Sequence, residues 1–488
     1  MARAESSKGV WRRRTGVTVA ILVIGAISFT LVAFTYGGLR WRNPPITRPS
    51  PAAAVSPSHE EVTFPRRDIN VVLISIDTLR ADHLGCYGYG PPTSPNVDRW
   101  SREAVVFEHA FSQAPSTLPS HASIFTSMLP SHHGALYSVG RPLPDRATTM
   151  AELLQAQGYE TAGFHGAGQV SDEFGMGQGF DQYVAVQGRF RNVVEEAVKW
   201  LDQRSAAPFF LFLHTYEVHH PYTPDPEYLE LFDSGYDGEL PGHIMVDDLR
   251  RINGDASPQL EIDEADLRHI VATYDAEIRS MDDGFGQFVT ALAKRGLRES
   301  TLLIFTSDHG EEFNEHGRVG WHSHSLYDEL LWVPLVIRFP GGVYAGRRVD
   351  DLVRLLDVAP TVLDVLALPA APTFEGLSVR TLFDTDTPPR VAISQQDTKY
   401  APPVSSLRTL DWKLYEEIVV RRLYRDRLFD LRADPGEQHN VLATNLGLAW
   451  RLTARLREIE ALLPAMDGRP AELSAQTIER LRALGYRE

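Results

Sequence analysis

Cysteine is nearly absent: the 488-residue chain holds one, Cys86. A single thiol makes no internal disulfide, no Cys-based zinc cluster and no CxxC redox pair. Basic charge is also in short supply. The 48 Lys and Arg face 64 Asp and Glu, a net charge of −16. Seven Lys/Arg and one Glu fall within the first 42 residues, so the remaining 446 carry −22. Such a chain lacks the broad basic face that nucleic-acid binders use. No internal repeat is evident. What the chain does have is apolar content, 43% hydrophobic and 10% aromatic. That supports a large core and excludes both disorder and a disulfide-stapled miniprotein.

Residues Thr15 to Tyr36 carry no charge. At a rise of 1.5 Å per residue, these 22 residues span roughly 33 Å, enough for a bilayer core of about 30 Å. Arg12, Arg13 and Arg14 precede the run, and Arg40 and Arg42 follow it. With Arg3 and Lys8, the basic excess lies on the N-terminal side. Residues 1–14 are therefore expected in the cytoplasm, 15–36 as an anchor, and the bulk outside. The competing reading is a cleaved leader, whose apolar region is usually about 7–15 residues; no clear A-x-A site is seen. Residues 37–67 contain Pro44, Pro45, Pro49, Pro51, Pro57 and Pro65 and read as an extended tether.

From Ile69 the run INVVLISI is apolar and β-branched, as expected of a strand buried in a parallel sheet. Similar runs begin at Pro208, Thr301 and Trp332. Amphipathic helical patterns lie between them, over Thr149–Gln157, Val194–Arg204 and Ala265–Arg295. Strands alternating with helices predict an α/β fold with helices on both faces of the sheet. Ligands then bind at the carboxyl ends of the strands. Those ends read Asp77-Thr78, then Tyr216, Glu217, His219 and His220, then Asp308-His309-Gly310. One acid after a strand is usually a helix cap. Three polar, metal-capable clusters at three strand ends point to a site.

These segments resemble the sulfatase family of the alkaline phosphatase superfamily, from about Asn70 to Leu442. NVVLISIDTLRADHLGCYGY is similar to the family's first metal-binding strand and turn. TLPSHASIFTSMLPSHHG (Thr117–Gly134) resembles the nucleophile segment, and SDHGEEFNEHG (Ser307–Gly317) the second metal segment. LYDELLWVPLVI, LLDVAPTVLDVLAL and LFDLRADPGEQHNVL follow in the family's order. The resemblance implies an alkaline phosphatase-like sandwich with a mostly parallel central sheet over 68–385. It also implies a smaller C-terminal α+β subdomain with a helical tail over 386–488.

The resemblance also implies site residues. Asp77, Thr78, Asp308 and His309 fall on metal ligands, Thr117 on the nucleophile and His219 on an active-site histidine. His322 or His324 falls near the family's substrate-binding position, and His121 replaces the motif's Arg as a candidate substrate contact. The mixed O/N donor set suits Mn²⁺ or Zn²⁺ better than Ca²⁺ alone. One ion is expected; a second would use Glu217, His219 and His322. A sulfatase nucleophile is a formylglycine made from Cys or Ser. Threonine's β-methyl group blocks that conversion, and Cys86 lies 31 residues upstream of the motif. The expectation is therefore an outward-facing metallohydrolase or phosphotransferase that takes an anionic phosphate mono- or diester through Thr117. Sulfuric ester hydrolysis and a non-catalytic anion-binding role are the alternatives.

Overall fold

A computed structural model describes residues 69–136, 140–383, 387–398, 401–419, 423–424, 426–466 and 471–486. The expected cytoplasmic segment, anchor and linker lie outside the described residues. Among those described, no helix is long and apolar enough to cross a membrane.

The centre of the fold is β1 (Asn70–Ile76), β5 (Phe209–Thr215) and β6 (Thr301–Ser307), each seven residues long and buried along its whole length. Burial on both faces is why these runs read as continuously apolar rather than alternating. Five further strands complete an eight-stranded sheet: β2 (Val105–Phe111), β3 (Glu160–His165), β4 (Gln182–Ala185), β9 (Leu335–Arg338) and β10 (Arg348–Arg354). Its order is β10-β2-β9-β6-β1-β5-β3-β4. A separate hairpin of β7 (Glu312–Phe313) and β8 (Val319–Trp321) stands beside it. The mostly parallel sheet is as expected, with one exception. The apolar run from Trp332 supplies β9, which pairs antiparallel with both β2 and β6.

Helices cover both faces. On one side lie α1 (Pro95–Ser101), α4 (Phe190–Gln203) and the 31-residue α5 (Glu264–Lys294), whose apolar residues join one core with Val72, Ile74 and Ile76. The Asp263 side chain caps α5 by accepting from Ala265 and Asp266 N–H. On the other side, α2 (Thr117–Thr126) sets Phe125 edge-on against Phe212 at 5.0 Å. Helix α3 (Met150–Ala156) opens with a Thr149–Glu152 capping box, and α6 (Val358–Val365) is buried nearby.

The C-terminal part is antiparallel: β11 (Ala392–Thr398), β12 (Ala401–Arg408), β13 (Trp412–Val419) and β14 (Leu423–Tyr424), with β15 (Arg427–Asp430) on β13. Helix α7 (Leu446–Glu460) packs Ala449 and Leu456 against Leu407, Leu414 and Leu428 of this sheet. After a last helix, α8 (Ala475–Ala483), Tyr486 comes back against Thr117 at the start of α2.

Candidate active site

Strand register brings the site together. Ile76 lies level with Thr215 on one side and Ser307 on the other, so Asp77, Tyr216 and Asp308 leave the sheet side by side. Thr78 follows with φ +55°, a left-handed conformation that costs a β-branched residue energy. Its N–H donates to Asp308 Oδ1 at 3.3 Å, and its carbonyl accepts from Tyr274 at 2.8 Å. His309 Nδ1 lies 2.9 Å from the Gly310 carbonyl, which can only accept, so Nδ1 carries the proton. Nε2 is then a lone pair, 3.5 Å from Asp308 and 3.7 Å from Asp77.

This pocket fits a divalent cation. Asp77 Oδ1, Asp308 Oδ2 and Thr78 Oγ1 are buried, and among the described residues they have no hydrogen-bond partner. Asp77, Asp308 and His309 each offer a ligand atom, all within 4.8 Å of one another. Burial lifts Asp77 to about 7, with His309 opposing and Glu311 adding to the rise. Asp308 is raised by burial and by Asp77. Burial works against protonating His309, yet Asp308 and Asp77 together raise its pKa. Two carboxylates that hold each other's protons are a site short of positive charge.

Thr117 opens α2 after extended Ser116 and is fully buried. Its hydroxyl donates to Asp77 Oδ2 at 3.2 Å and lies 3.4 Å from His309 Nε2. The neighbouring Ser120 hydroxyl points elsewhere, donating to the Asp308 carbonyl at 2.7 Å. In the first turn of α2, Leu118 N–H donates to Gln169 Oε1 at 3.0 Å.

His121 needs correction as a substrate contact. Its Nδ1 faces the Thr117 carbonyl at 2.9 Å and Asp308 Oδ2 at 3.5 Å, and its Nε2 faces Ser75 Oγ at 3.0 Å. Both ring nitrogens are used beneath Thr117, where they brace the turn.

His219 and His322 converge on the other side. His219 Nδ1 bonds the His220 carbonyl, and His322 Nδ1 donates to Glu311 Oε1 at 2.8 Å. Both Nε2 lone pairs therefore point inward. Burial pushes His322 down to about 3 against the pull of Glu311, and holds His219 well below its usual value. Of the two candidates in WHSHSLYDE, the structure brings His322 to the site. His324 Nε2 instead pairs with Glu312 at 2.7 Å on a partly exposed side chain. Glu217 is also placed away from a second ion. It accepts from Phe190 N–H at 2.7 Å and Ser280 Oγ at 2.6 Å, and pairs with Arg189. His220, at the same strand end, completes a second close group with His219 and His322.

Three participants have no obvious sequence signal. His214 Nε2 lies 3.3 Å from Asp77 Oδ2. Glu311 holds His322 and also accepts from Tyr222 at 3.0 Å. Tyr486, two residues from the C-terminus, sets its hydroxyl 3.2 Å from Thr117 Oγ1, 3.2 Å from His219 Nε2 and 3.3 Å from His322 Nε2.

Residues 69–368 match the family described as Sulfatase, and residues 315–461 match N-sulphoglucosamine sulphohydrolase, C-terminal. The uncharacterized sulfatase YidJ of Escherichia coli (strain K12) is 26% identical over 428 residues, covering 76% of this chain and 83% of YidJ. An arylsulfatase of Clostridium perfringens is 26% identical over 389 residues, covering 64% of this chain and 78% of that enzyme. Among solved structures, a phosphonate monoester hydrolase of Agrobacterium radiobacter superposes with a TM-score of 0.66 at 22% identity, over 80% of this chain and 95% of that one. The last likeness establishes the alkaline phosphatase-like fold. With more than half of its length matched, the chain belongs to the sulfatase family.

Proposed function

We propose that this chain is a metal-dependent hydrolase or transferase of phosphate mono- or diesters. Its nucleophile is Thr117, and residues 15–36 hold it at a membrane with the catalytic part outside the cytoplasm. The observation that carries this reading is a threonine hydroxyl, not a cysteine or serine, between Asp77 and His309.

A hydroxyl needs activation before it attacks. Asp77 Oδ2 already accepts the Thr117 proton, and the attack forms a covalent ester on Oγ1 as the leaving oxygen departs. A divalent ion held by Asp77, Thr78, Asp308 and His309 would lower the hydroxyl's pKa and neutralise negative charge on the transferring group. Burial holds the pKa of His219 and His322 below the usual imidazole value. An anionic ester beside them favours their protonated forms, from which Nε2–H donates to the ester or its leaving oxygen. Water on the Thr117 ester completes hydrolysis; an alcohol completes transfer.

Sulfuric ester hydrolysis is the second reading, favoured by the names of the curated relatives. It lacks the Cys or Ser that formylglycine requires. The discriminating assay uses the Mn²⁺- or Zn²⁺-loaded protein with p-nitrophenyl phosphate, bis-p-nitrophenyl phosphate and p-nitrophenyl sulfate. Phosphate-ester turnover above sulfate turnover is expected. The reverse order would sink the phosphoryl reading, and metal-loaded protein that turns over none favours an anion-binding role.

A further inference from the structure

The tail closes the site it enters. Thr117, Asp77, Asp308 and His309 have no exposed surface, and His219 has 1%. An ester phosphorus must come within about 3–3.5 Å of Thr117 Oγ1 before attack. The Tyr486 hydroxyl already stands 3.2 Å from that oxygen. Substrate and this phenol cannot share the space.

The phenol is also an incomplete partner there. His219 and His322 both turn Nε2 lone pairs toward it, and one hydroxyl has one proton to give. The phenol therefore gives a proton to at most one of the two imidazoles.

The segment is attached at the start of α8, where Ser474 N–H and Thr477 Oγ1 donate to Glu173 at 2.8 and 2.9 Å, and beyond it through buried Leu484 and Tyr486. Within α8 only Thr477 and Leu481 are buried. Gly485 precedes Tyr486 with φ +83°, and a Cβ there would meet His220 Nε2 at 2.9 Å. Beside Tyr486, an open cleft of about 490 Å³ is lined by Asp247, Arg250, Arg482 and Gly485. Arg250 and Arg482 against Asp247, which pairs with Arg250 at 3.4 Å, leave the cleft lining one net positive charge for an approaching anion.

We propose that Tyr486 gates the active centre: its hydroxyl holds the place of a substrate oxygen, and an anionic ester enters from this cleft by displacing residues 481–486. The gate rests on the anionic-ester reading of the site but not on the choice of phosphate over sulfate. Small esters meet it as an affinity barrier. Tyr486→Ser removes the ring and its contacts. Gly485→Ala drives the segment off His220 while leaving the tyrosine in place, so a folding defect from one variant does not decide the matter.

The test uses the detergent-solubilised, metal-loaded full chain with orthovanadate or sulfate as the probe. Hydrogen exchange of residues 481–486 is followed with and without the anion. Exchange faster by at least about tenfold on anion binding is expected, with the remainder of the chain unchanged or slower. Both variants should bind the anion at least about tenfold more tightly and lower KM more than they change kcat. Anion binding with exchange unchanged or slowed, or weaker binding by both variants, would overturn the gate and make Tyr486 part of the binding site. Release of the tail by sulfate, with sulfate-ester but no phosphate-ester turnover, supports the gate and removes the phosphoryl reading. Failure of wild type and both variants to bind either anion overturns both.

Discussion

The surroundings of the Thr117 hydroxyl are set by where α2 starts. Three groups, Asp77, His309 and Tyr486, lie within 3.4 Å of its Oγ1. Thr117→Ala removes that oxygen but none of the buried carboxylates. It should lose about 10³-fold or more in phosphate-ester turnover while metal content, measured on the same preparation, is unchanged. Wild-type turnover in this variant would assign the nucleophile elsewhere. Asp77 supports a second prediction. Its pKa in the metal-free fold is about 7, above the usual carboxylate value, so below pH 7 an incoming cation must displace a proton. Metal affinity should fall by about tenfold or more per pH unit between pH 7 and 5, read by equilibrium dialysis; a flat profile excludes Asp77 as a ligand. The same shift acts on folding. The native state keeps a proton that the unfolded chain has lost above about pH 4. The metal-free protein should therefore lose stability as pH rises from about 4 to 7, and metal should restore it. Asp77, Asp308 and His309 were legible in the sequence because they directly follow apolar runs. Glu311, His214 and Tyr486 were not. Glu311 reads as one acid among four in EEFNE and its flanks, and Tyr486 reaches the site only through the path of a tail 369 residues from Thr117.

Among the elements, the three central strands were readable because full burial leaves an apolar run that turn residues end sharply. Direction was not readable for β9. A strand buried on both faces has no feature that records which way it runs, and only its partners β2 and β6 reveal it. The C-terminal sheet also carries a feature that sequence pattern hides. Lys413 on β13 is fully buried, 2.7 Å from Asp328 and 2.9 Å from Glu437. Asp328 begins the short helix Asp328–Leu331 that precedes β9, so this ion cluster fastens the antiparallel sheet to the catalytic one. Arg408 on β12 adds a second cation to Asp328 at 3.0 Å. Lys413→Met keeps the volume and strands the buried Glu437 carboxylate, while Asp328 keeps Arg408. It should destabilise the fold by about 3–5 kcal/mol, seen as a lower urea midpoint. Lys413→Met combined with Glu437→Gln should recover part of that loss, because the second change removes a charge the first left unpaired. A double variant no better than the single would show that the lysine acts through packing alone.

At the scale of the molecule, charge separates two ways of meeting a membrane. Residues 43–488 carry −22, so an anionic lipid surface repels the folded part. The six net positive charges of the first 42 residues flank an uncharged run of 22. If the membrane contact is made by that run, its strength comes from apolar burial, which salt does not screen. If it is made by the basic residues alone, it is an electrostatic contact and salt releases it. The full chain, expressed with its N-terminus intact, is therefore expected to remain with the membrane pellet in about 1 M salt and to leave it only in detergent. Removal of residues 1–42 should move the protein to the soluble fraction, with its phosphate-ester activity retained. Release of the full chain by salt, or its recovery as a shortened soluble form without detergent, would replace the anchor with a peripheral contact or a cleaved leader respectively.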